Sequence, residues 1–335
     1  MGEFTRRRPE MKRLLCLLLL TAISAQGGDK KSDKKSATKE PPMKQAAARD
    51  WSKFPAIAEL TTTEDVFALG DVHGGHERLV TLLSAAGLIK ANDGAFAWTG
   101  GKRVLVVLGD VIDKGSQSLQ CIDLLTALEA EAAAAGGRVI VTLGNHEAEF
   151  LADPKNKKAK REFDKELSAR NLNRDDVASG RGVYGEWLAQ RPLAAKVNGW
   201  FFAHGGNSGG LSVTALADAY RKAVDASDWG AELLVGKESI LESQKWWKAE
   251  ATVDADLTAL GARHIVFGHD PGAFDPPARI GHRFEGKLFR IDVGMSPAID
   301  FSKGALLLIQ ATKSGEEVSS VDSSGAQVKL WSSKK

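Results

Sequence analysis

Short apolar runs that lead into glycine-containing polar loops recur along the chain from residue 66 onward. VFAL precedes GDVHGG, RVLVVL precedes GDVIDKG, and RVIVTL precedes GNHE. The segments HERLVTLLSAAGLI and QSLQCIDLLTALEAEAAAA follow the first two loops and have the apolar spacing of amphipathic helices. Continuous apolar runs that alternate with helices predict buried parallel strands, so the pattern indicates an α/β fold.

The same pattern returns in the second half of the chain after an interruption. Residues 151–195 begin with a charged segment and predict a helical insert that caps the surface. NGWFFA then leads into HGGNSGG, ARHIVF leads into GHDPG, and KLFRIDVGM opens a β-rich tail. Because α/β sheets build their sites beyond the carboxyl ends of strands, the polar loops are predicted to meet.

The N-terminus has the pattern of a secretory signal peptide, predicted over residues 1–25. TRRRPEMKR supplies a basic flank, LLCLLLLTAI an apolar core, and SAQGG small residues suited to cleavage. The ten-residue apolar core is shorter than the roughly 20 residues that a membrane span needs, which predicts no stable span. We therefore expect an exported protein, periplasmic or secreted, with an uncleaved anchor as the alternative.

The remaining chain is predicted to hold a linker and one folded domain. Residues 26–55 are rich in Lys, Ser, Gly and Pro, which is typical of a basic flexible linker. Residues 56–335 are predicted to form the domain that carries the insert at about 151–195. The 335-residue chain is 43% hydrophobic, enough for a sizeable core, and its net charge of +2 gives no strong electrostatic case for a nucleic-acid partner.

The cysteines indicate a domain without disulfides. Cleavage of the signal peptide would remove Cys16 and leave Cys121, so no intramolecular disulfide could form. Cys121 lies on the apolar face of a predicted helix. We predict a buried structural thiol rather than a nucleophile.

Eight polar side chains follow the predicted strands in glycine-containing loops. They are Asp71, His73, Asp110, Asp113, Asn145, His146, His204 and His269. Mixed carboxylate, amide and imidazole ligands suit Mn, Fe or Zn, and the set exceeds the needs of one ion, so two divalent metal ions are predicted. The glycines beside these residues are expected to allow positive φ angles and to let the loops approach an ion or a phosphate closely.

These motifs, in this order, resemble those of the calcineurin-like metallophosphoesterases. GNHE with GDxxD is most similar to the phosphoprotein phosphatase group, and KVNGWFFAHGG with FRIDVGMS resembles its bacterial Shewanella-like branch. The resemblance covers residues 66–296. It implies a four-layer αββα sandwich of two mixed sheets flanked by helices, with a dimetal site at one edge of the sandwich. It also implies dimetal-dependent hydrolysis of phosphomonoesters.

The resemblance also assigns roles to the strand-end residues. Asp71 and His73 would hold the first metal, Asp110 would bridge both, and Asn145, His204 and His269 would hold the second. The metals would turn a bridging water into hydroxide for in-line attack. His146, oriented and kept protonated by Asp113, would donate a proton to the leaving alcohol.

The sequence departs from the family pattern where phosphate would be bound. Lys114 stands where the family usually carries an arginine, and a lysine supplies the charge without the planar fork. Lys248 is the counterpart predicted for a second phosphate arginine, and Arg181 in the insert is a rival contact.

Several residues near the motifs are predicted to be structural. Glu147 is expected to form supporting hydrogen bonds rather than to ligate a metal. Trp246 and Trp247 are expected to pack beneath the site rather than to line a substrate groove. His76, His264 and His282 fall outside the motifs and are predicted to lie on a helix surface, beside a strand or in a loop.

Three functional hypotheses remain open from the sequence. The first is a phosphatase whose partners are phosphorylated proteins, peptides or small phosphomonoesters, with no nucleic acid. The second is a phosphodiesterase or nucleotide hydrolase on the same scaffold, because a fold does not fix a function. The third is a weakly catalytic metal-binding docking protein, which the lysine at position 114 supports and the intact Asp113 and His146 oppose.

Overall fold

The computed structural model describes residues 48–156 and 162–333 of the chain. The predicted signal peptide and residues 26–47 of the predicted linker lie outside these ranges, so export and localisation stay predictions. Within the described ranges, no helix combines the length and the apolar content that crossing a membrane requires.

The strands are short over most of the domain and longer in the tail. They are β1 (Ile57–Leu60), β2 (Val66–Leu69), β3 (Ile89–Asn92), β4 (Ala95–Trp98), β5 (Val104–Val107), β6 (Arg138–Val141), β7 (Ala194–Val197), β8 (Trp200–Ala203), β9 (His264–Phe267), β10 (Gly281–Arg283), β11 (Leu288–Arg290), β12 (Ala305–Thr312), β13 (Gly315–Asp322) and β14 (Gln327–Ser332).

Helices connect most of these strands. They are α1 (His76–Ala85), α2 (Ser118–Ala134), α3 (Asn145–Ala152), α4 (Glu162–Ala169), α5 (Arg174–Ala178), α6 (Gly182–Ala189), α7 (Val213–Asp225), α8 (Glu232–Val235) and α9 (Glu250–Leu260). A short 3-10 helix, Trp246–Lys248, precedes α9.

Two mixed sheets of six strands each, and the hairpin β3–β4, account for the strands of the described residues. One sheet has the order β1-β7-β8-β9-β11-β10 and the other β14-β13-β12-β2-β5-β6. Each sheet contains parallel and antiparallel pairs. The predicted α/β sandwich of two mixed sheets flanked by helices is confirmed.

Complete burial explains why the strands before the polar loops are continuously apolar. All four residues of β2, β5, β8 and β9 are buried, as expected for strands that are covered on both faces. The registers align their ends, because Leu69 pairs with Val107, Val107 with Val141, and Ala203 with Phe267. The loops that follow these strands therefore start from the same edge of each sheet.

The described part of the insert contains α4, α5 and α6, and it packs onto the rest of the domain. Phe163 of α4 is fully buried in the common core. The carboxylate of Glu166 accepts hydrogen bonds from the backbone N–H groups of Ser118 and Leu119 at the start of α2, both at 2.9 Å. These hydrogen bonds satisfy two N–H groups that the first turn of a helix leaves without intrahelical partners.

The end of the predicted linker differs from the prediction because it is fastened to the domain. Arg49 donates hydrogen bonds to the Phe54 and Arg191 carbonyls, at 2.9 and 3.1 Å. The Trp51 indole donates to Asp225 Oδ1 at 3.0 Å. A guanidinium and an indole thus anchor residues 49–55, and the ordered domain begins before residue 56.

Candidate metal centre

The loops after β2, β5, β6, β8 and β9 bring the predicted ligands together. Two groups of side chains have ligand atoms that lie within 4.8 Å of one another: Asp71, Asp110 and His204, and His73, Asp110 and His146. The side chains of both groups are buried. The loops come from both sheets, so the site forms where two sheets meet and not at the end of one.

Two glycines let neighbouring loops touch. Gly109 has φ +74°, a conformation that favours glycine, as predicted. Gly144 differs from the prediction because its φ is −102°. Its requirement is space: a Cβ there would clash with the Asp110 backbone nitrogen. This contact lets the His146 N–H donate to Asp110 Oδ1 at 3.0 Å.

Asp110 lies between the two groups. Its Oδ2 is 3.3 Å from His73 Nε2, and its Oδ1 is 3.4 Å from His204 Nε2. One carboxylate therefore presents a different oxygen to each group, which places Asp110 where two ions could share it.

Backbone carbonyls orient the two imidazoles. The Nδ1–H of His73 faces Ile112 O at 3.1 Å, and the Nδ1–H of His204 faces Leu108 O at 2.7 Å. Each ring consequently directs its Nε2 lone pair into the cluster, as metal-ligating histidines do when a second acceptor holds the other nitrogen. This donor chemistry fits divalent ions such as Mn, Fe or Zn.

The remaining predicted ligands extend the group around His204. Asn145 Oδ1 lies 2.8 Å from His204 Nε2 and 3.3 Å from His269 Nδ1. The backbone N–H of His269 donates to Asp71 Oδ1 at 3.0 Å. The structure therefore brings together all six residues that the sequence predicts as ligands.

The surroundings shift the pKa values of Asp71 and Asp110 in opposite directions. Burial, reinforced by Asp292 and Asp110, raises the pKa of Asp71 well above its ordinary value. Burial acts the same way on Asp110, but the positive fields of His204 and other surrounding basic groups outweigh it, and the pKa of Asp110 lies well below its ordinary value. Burial lowers the pKa of His73, which favours the neutral, ligating form.

His146 and Asp113 form the predicted pair. Their Nδ1 and Oδ2 atoms are 3.0 Å apart. Burial alone would lower the pKa of His146, but the Asp110 charge and the hydrogen bond to Asp113 raise it above the ordinary value. His146 Nε2 also lies 3.9 Å from Asp110 Oδ2, so the geometry is compatible with a general acid and with a ligand.

Glu147 binds the two loops to each other, which agrees with its predicted hydrogen-bonding role. Its carboxylate accepts from the backbone N–H groups of Asp110, Val111 and Ile112, at 2.8, 2.8 and 3.0 Å, and from Gly144 at 2.9 Å. Burial, together with the Asp110 charge, raises the pKa of Glu147 to about 7.

The three predicted phosphate contacts have different surroundings. Lys114 Nζ lies 2.7 Å from His73 Nε2, directly at the cluster. Arg181 pairs with Asp176 and lines a hollow of about 400 Å³ that residues 171–184 of the insert form by themselves. Lys248 is exposed, with Nζ 5.5 Å from the centre of the Trp247 ring. Of the three, Lys114 is therefore the residue that contacts a predicted metal ligand.

Trp246, Trp247 and Cys121 are buried residues that pack in the protein interior, as predicted. Trp246 and Trp247 are buried, and the Trp246 indole donates to Gly205 O at 2.9 Å. Cys121 is buried, and burial raises the pKa of its thiol. His264 differs from the prediction of a strand-flanking residue, because it is a buried residue of β9 that stacks on Trp200.

Sequence reasoning missed two carboxylates beside the cluster. Asp292 is buried, accepts from the Gly294 N–H at 2.9 Å, and has its pKa raised to about 6 by burial. Its position after β11, two residues before a glycine, resembles the other loops and could have identified it. Glu242 Oε1 accepts from Asn145 Nδ2 at 2.9 Å; it follows no strand, so no local signal marks it.

More than half of the chain matches the model of one protein family. The model of the family described as calcineurin-like phosphoesterase matches residues 65–273. The chain belongs to this family. The predicted resemblance is confirmed, and the protein is a phosphoesterase hydrolase.

Similar proteins include Shewanella-like protein phosphatases. The chain is 25% identical to Shewanella-like protein phosphatase 1 of Plasmodium berghei over 85% of this chain and 82% of that protein. It is 40% identical to Shewanella-like protein phosphatase 2 of Arabidopsis thaliana over 25% of this chain, and this match spans 21% of the Arabidopsis protein. The solved structure of a cold-active protein tyrosine phosphatase has a TM-score of 0.69 and 25% identity, covering 83% of this chain and 82% of that one.

Proposed function

We propose that this phosphoesterase is a dimetal-dependent phosphomonoesterase that acts on phosphorylated proteins or peptides. The observation that carries the proposal is the sharing of Asp110 between two groups of ligand atoms, with the His146–Asp113 pair beside them. The names of the protein phosphatases that this chain resembles support the substrate class.

The six ligand residues divide between two ions. Asp71 and His73, whose Oδ2 and Nε2 atoms lie 3.7 Å apart, would hold the first ion, and Asn145, His204 and His269 the second, with Asp110 shared. Asp71 also belongs to the group of ligand atoms around His204, so it stands close to both ions. Two such ions supply a nucleophile by lowering the pKa of bound water, and they neutralise the charge of the phosphate oxygens. The donor set suits Mn, Fe or Zn.

The protein's own groups act on the substrate around these ions. His146 donates a proton to the oxygen of the leaving alcohol, and Asp113 holds the imidazole with Nδ1 protonated so that Nε2 faces the substrate. Lys114 supplies a positive charge to a phosphate oxygen. An alcohol or phenol leaving group makes the reaction a phosphomonoester hydrolysis.

The substrate class is tested with metal-stripped protein to which Mn, Fe, Zn or Mg is returned. We expect metal-dependent turnover of phosphotyrosine or phosphoserine peptides and little turnover of a phosphodiester or a dinucleoside polyphosphate. Turnover mainly of the last two would favour the alternative phosphodiesterase or nucleotide hydrolase. Metal binding without turnover of any substrate would favour the docking protein.

The role of Lys114 is tested by two substitutions with opposite expected effects. Lys114→Met removes the charge, and we expect the inhibition constant of inorganic phosphate to rise about tenfold or more, as for loss of a charge-assisted hydrogen bond. Lys114→Arg is expected to lower it several-fold by adding a planar fork. Lys102→Met, at an exposed lysine, is the matched control, and equal constants for all four proteins would contradict the assignment.

A further inference from the structure

The segment between α8 and the 3-10 helix places a carboxylate against two predicted ligands of the second ion. Glu242 Oε1 accepts a hydrogen bond from Asn145 Nδ2 at 2.9 Å, and Glu242 Oε2 lies 4.0 Å from His269 Nε2. The Glu242 side chain is 18% exposed. One side chain therefore contacts both Asn145 and His269 on the side away from the cluster.

The hydrogen bond to Glu242 determines which way the Asn145 amide points. A carboxylate is only an acceptor, whereas a carboxamide has a donor end and an acceptor end. The NH₂ group of Asn145 must therefore face Glu242, which leaves Oδ1 facing His204 Nε2 at 2.8 Å and His269 Nδ1 at 3.3 Å. A flipped amide would set two oxygens against each other and turn a non-ligating NH₂ toward the ion.

The same carboxylate faces the outer nitrogen of His269. Nδ1 of that ring points to Asn145 Oδ1, and Nε2 points to Glu242 Oε2. At 4.0 Å this is an ionic contact and not a direct hydrogen bond. The carboxylate therefore acts on the ring through its charge, which favours a proton on Nε2 and leaves Nδ1 able to ligate. For His73 and His204, backbone carbonyls hold the outer nitrogen; for His269, the nearby carboxylate is Glu242.

The backbone of this segment is tied to the loop that carries His204. The N–H of Gly205 donates to Ile240 O at 2.9 Å, and the Trp246 indole donates to Gly205 O at 2.9 Å. The backbone N–H of Glu242 donates to Ser239 Oγ at 3.0 Å. Contacts on both sides of Glu242 thus hold the carboxylate in place relative to the second-ion ligands.

We propose that Glu242 is a positioning residue for the second metal ion, which acts by fixing the Asn145 amide and the His269 ring. The inference rests on the dimetal centre of the proposed function and adds a residue outside the predicted ligand set. Glu242 contacts ligands of the second ion, so its loss should selectively lower the affinity for that ion.

Metal binding tests this role independently of turnover. Metal-stripped protein is titrated with Mn²⁺ by calorimetry, and bound metal is counted after desalting. Glu242→Ala is expected to raise the Kd of one of the two ions about 10- to 100-fold, the usual effect of losing a partner behind a metal ligand, and to leave the other Kd unchanged. Glu242→Gln, which keeps an oxygen acceptor for Asn145, should give a smaller increase.

One control variant tests whether the effect is specific to Glu242, and two outcomes would overturn the proposal. Glu238→Ala removes the same charge at an exposed position four residues earlier and should bind both ions as the parent does. Unchanged affinities in Glu242→Ala, or equal loss of both ions in the nearly isosteric Glu242→Gln, would overturn the proposal. A parent that binds two ions but hydrolyses no phosphomonoester would instead contradict the proposed function and leave the role of Glu242 measurable.

Discussion

The variant His146→Asn is expected to lose about 10²–10⁴-fold in turnover of phosphoserine peptides, the range typical of general acid catalysis. The alkoxide that leaves serine is a strong base, so its departure needs a proton from Nε2. Hydrolysis of 4-nitrophenyl phosphate should fall much less, because that leaving group is stable without protonation. The ratio of the two losses, measured with saturating Mn²⁺, is the readout.

Metal content separates this role from the other role that the geometry permits. His146, His73 and Asp110 are close enough to hold an ion together. A general acid can be replaced without loss of metal, so His146→Asn should keep two bound ions. Loss of one ion, with similar losses on both substrates, would make His146 a ligand.

Asp113→Asn provides a second measurement on the same pair. It leaves the imidazole in place but removes the carboxylate that accepts from Nδ1 at 3.0 Å. Because the two residues act as a unit, the double variant should lose little more turnover than His146→Asn alone. Additive losses would indicate that Asp113 has a separate role, such as holding α4 through the Glu162 N–H at 3.3 Å.

The sequence predicted those parts of the site that depend on strand ends. Asp71, Asp110, Asn145, His204 and His269 each follow a buried apolar strand directly or within a few residues. Parallel neighbours in register deliver the loops of each sheet to one edge of that sheet, and the two edges meet at the site. A short-range pattern therefore determined a three-dimensional cluster.

The parts that were missed depend on long-range contacts. Glu242 is 97 residues from Asn145 in sequence, and the acidic side chain of an irregular segment looks like any solvated carboxylate. Position 144 shows the same limit within a motif. Its glycine was predicted from backbone conformation, but the requirement comes from the approach of Asp110, which only the assembled sheet reveals.

The phosphate contacts and the domain boundary were uncertain for a related reason. Arg181 and Lys248 were chosen by position between motifs, where charge alone does not say which way a side chain points. The Arg181 guanidinium turned out to pair with Asp176 inside the insert. Likewise, Arg49 stands in a segment of linker-like composition, yet its hydrogen bonds to carbonyls of the folded domain fix it in place.

Arg290→Met is expected to have the largest effect on stability. The buried guanidinium donates to five backbone carbonyls, those of Pro271, Phe274, Pro276, Arg279 and Asp292. A buried acceptor that loses its donor costs about 1–3 kcal/mol. With some carbonyls recovering water as the loop relaxes, we expect the free energy of unfolding to fall by about 3–5 kcal/mol, measured by urea denaturation.

The matched controls separate loss of the guanidinium from loss of charge. Arg279→Met removes an exposed arginine side chain of the same loop and should change the free energy of unfolding by about 0.5 kcal/mol or less. Arg290→Lys keeps the charge but has three donors on a flexible stem, too few for five carbonyls, so it should lie between Arg290→Met and the parent. A denaturation midpoint equal to that of the parent in Arg290→Met would show that these hydrogen bonds contribute little.

Loss of Arg290 should also weaken metal binding, because the loop that Arg290 holds in place begins at His269. Four of its five acceptors lie between residues 271 and 279, and His269 itself has φ +62°, a conformation that needs support from its surroundings. At temperatures where Arg290→Met remains folded, the second ion, which His269 itself would hold, should therefore bind more weakly than in the parent. The first ion should be weakened less, because its ligand Asp71 meets this loop through the His269 backbone N–H and not through a shared ligand. Equal weakening of both ions would mean that Arg290 stabilises the domain as a whole rather than this loop.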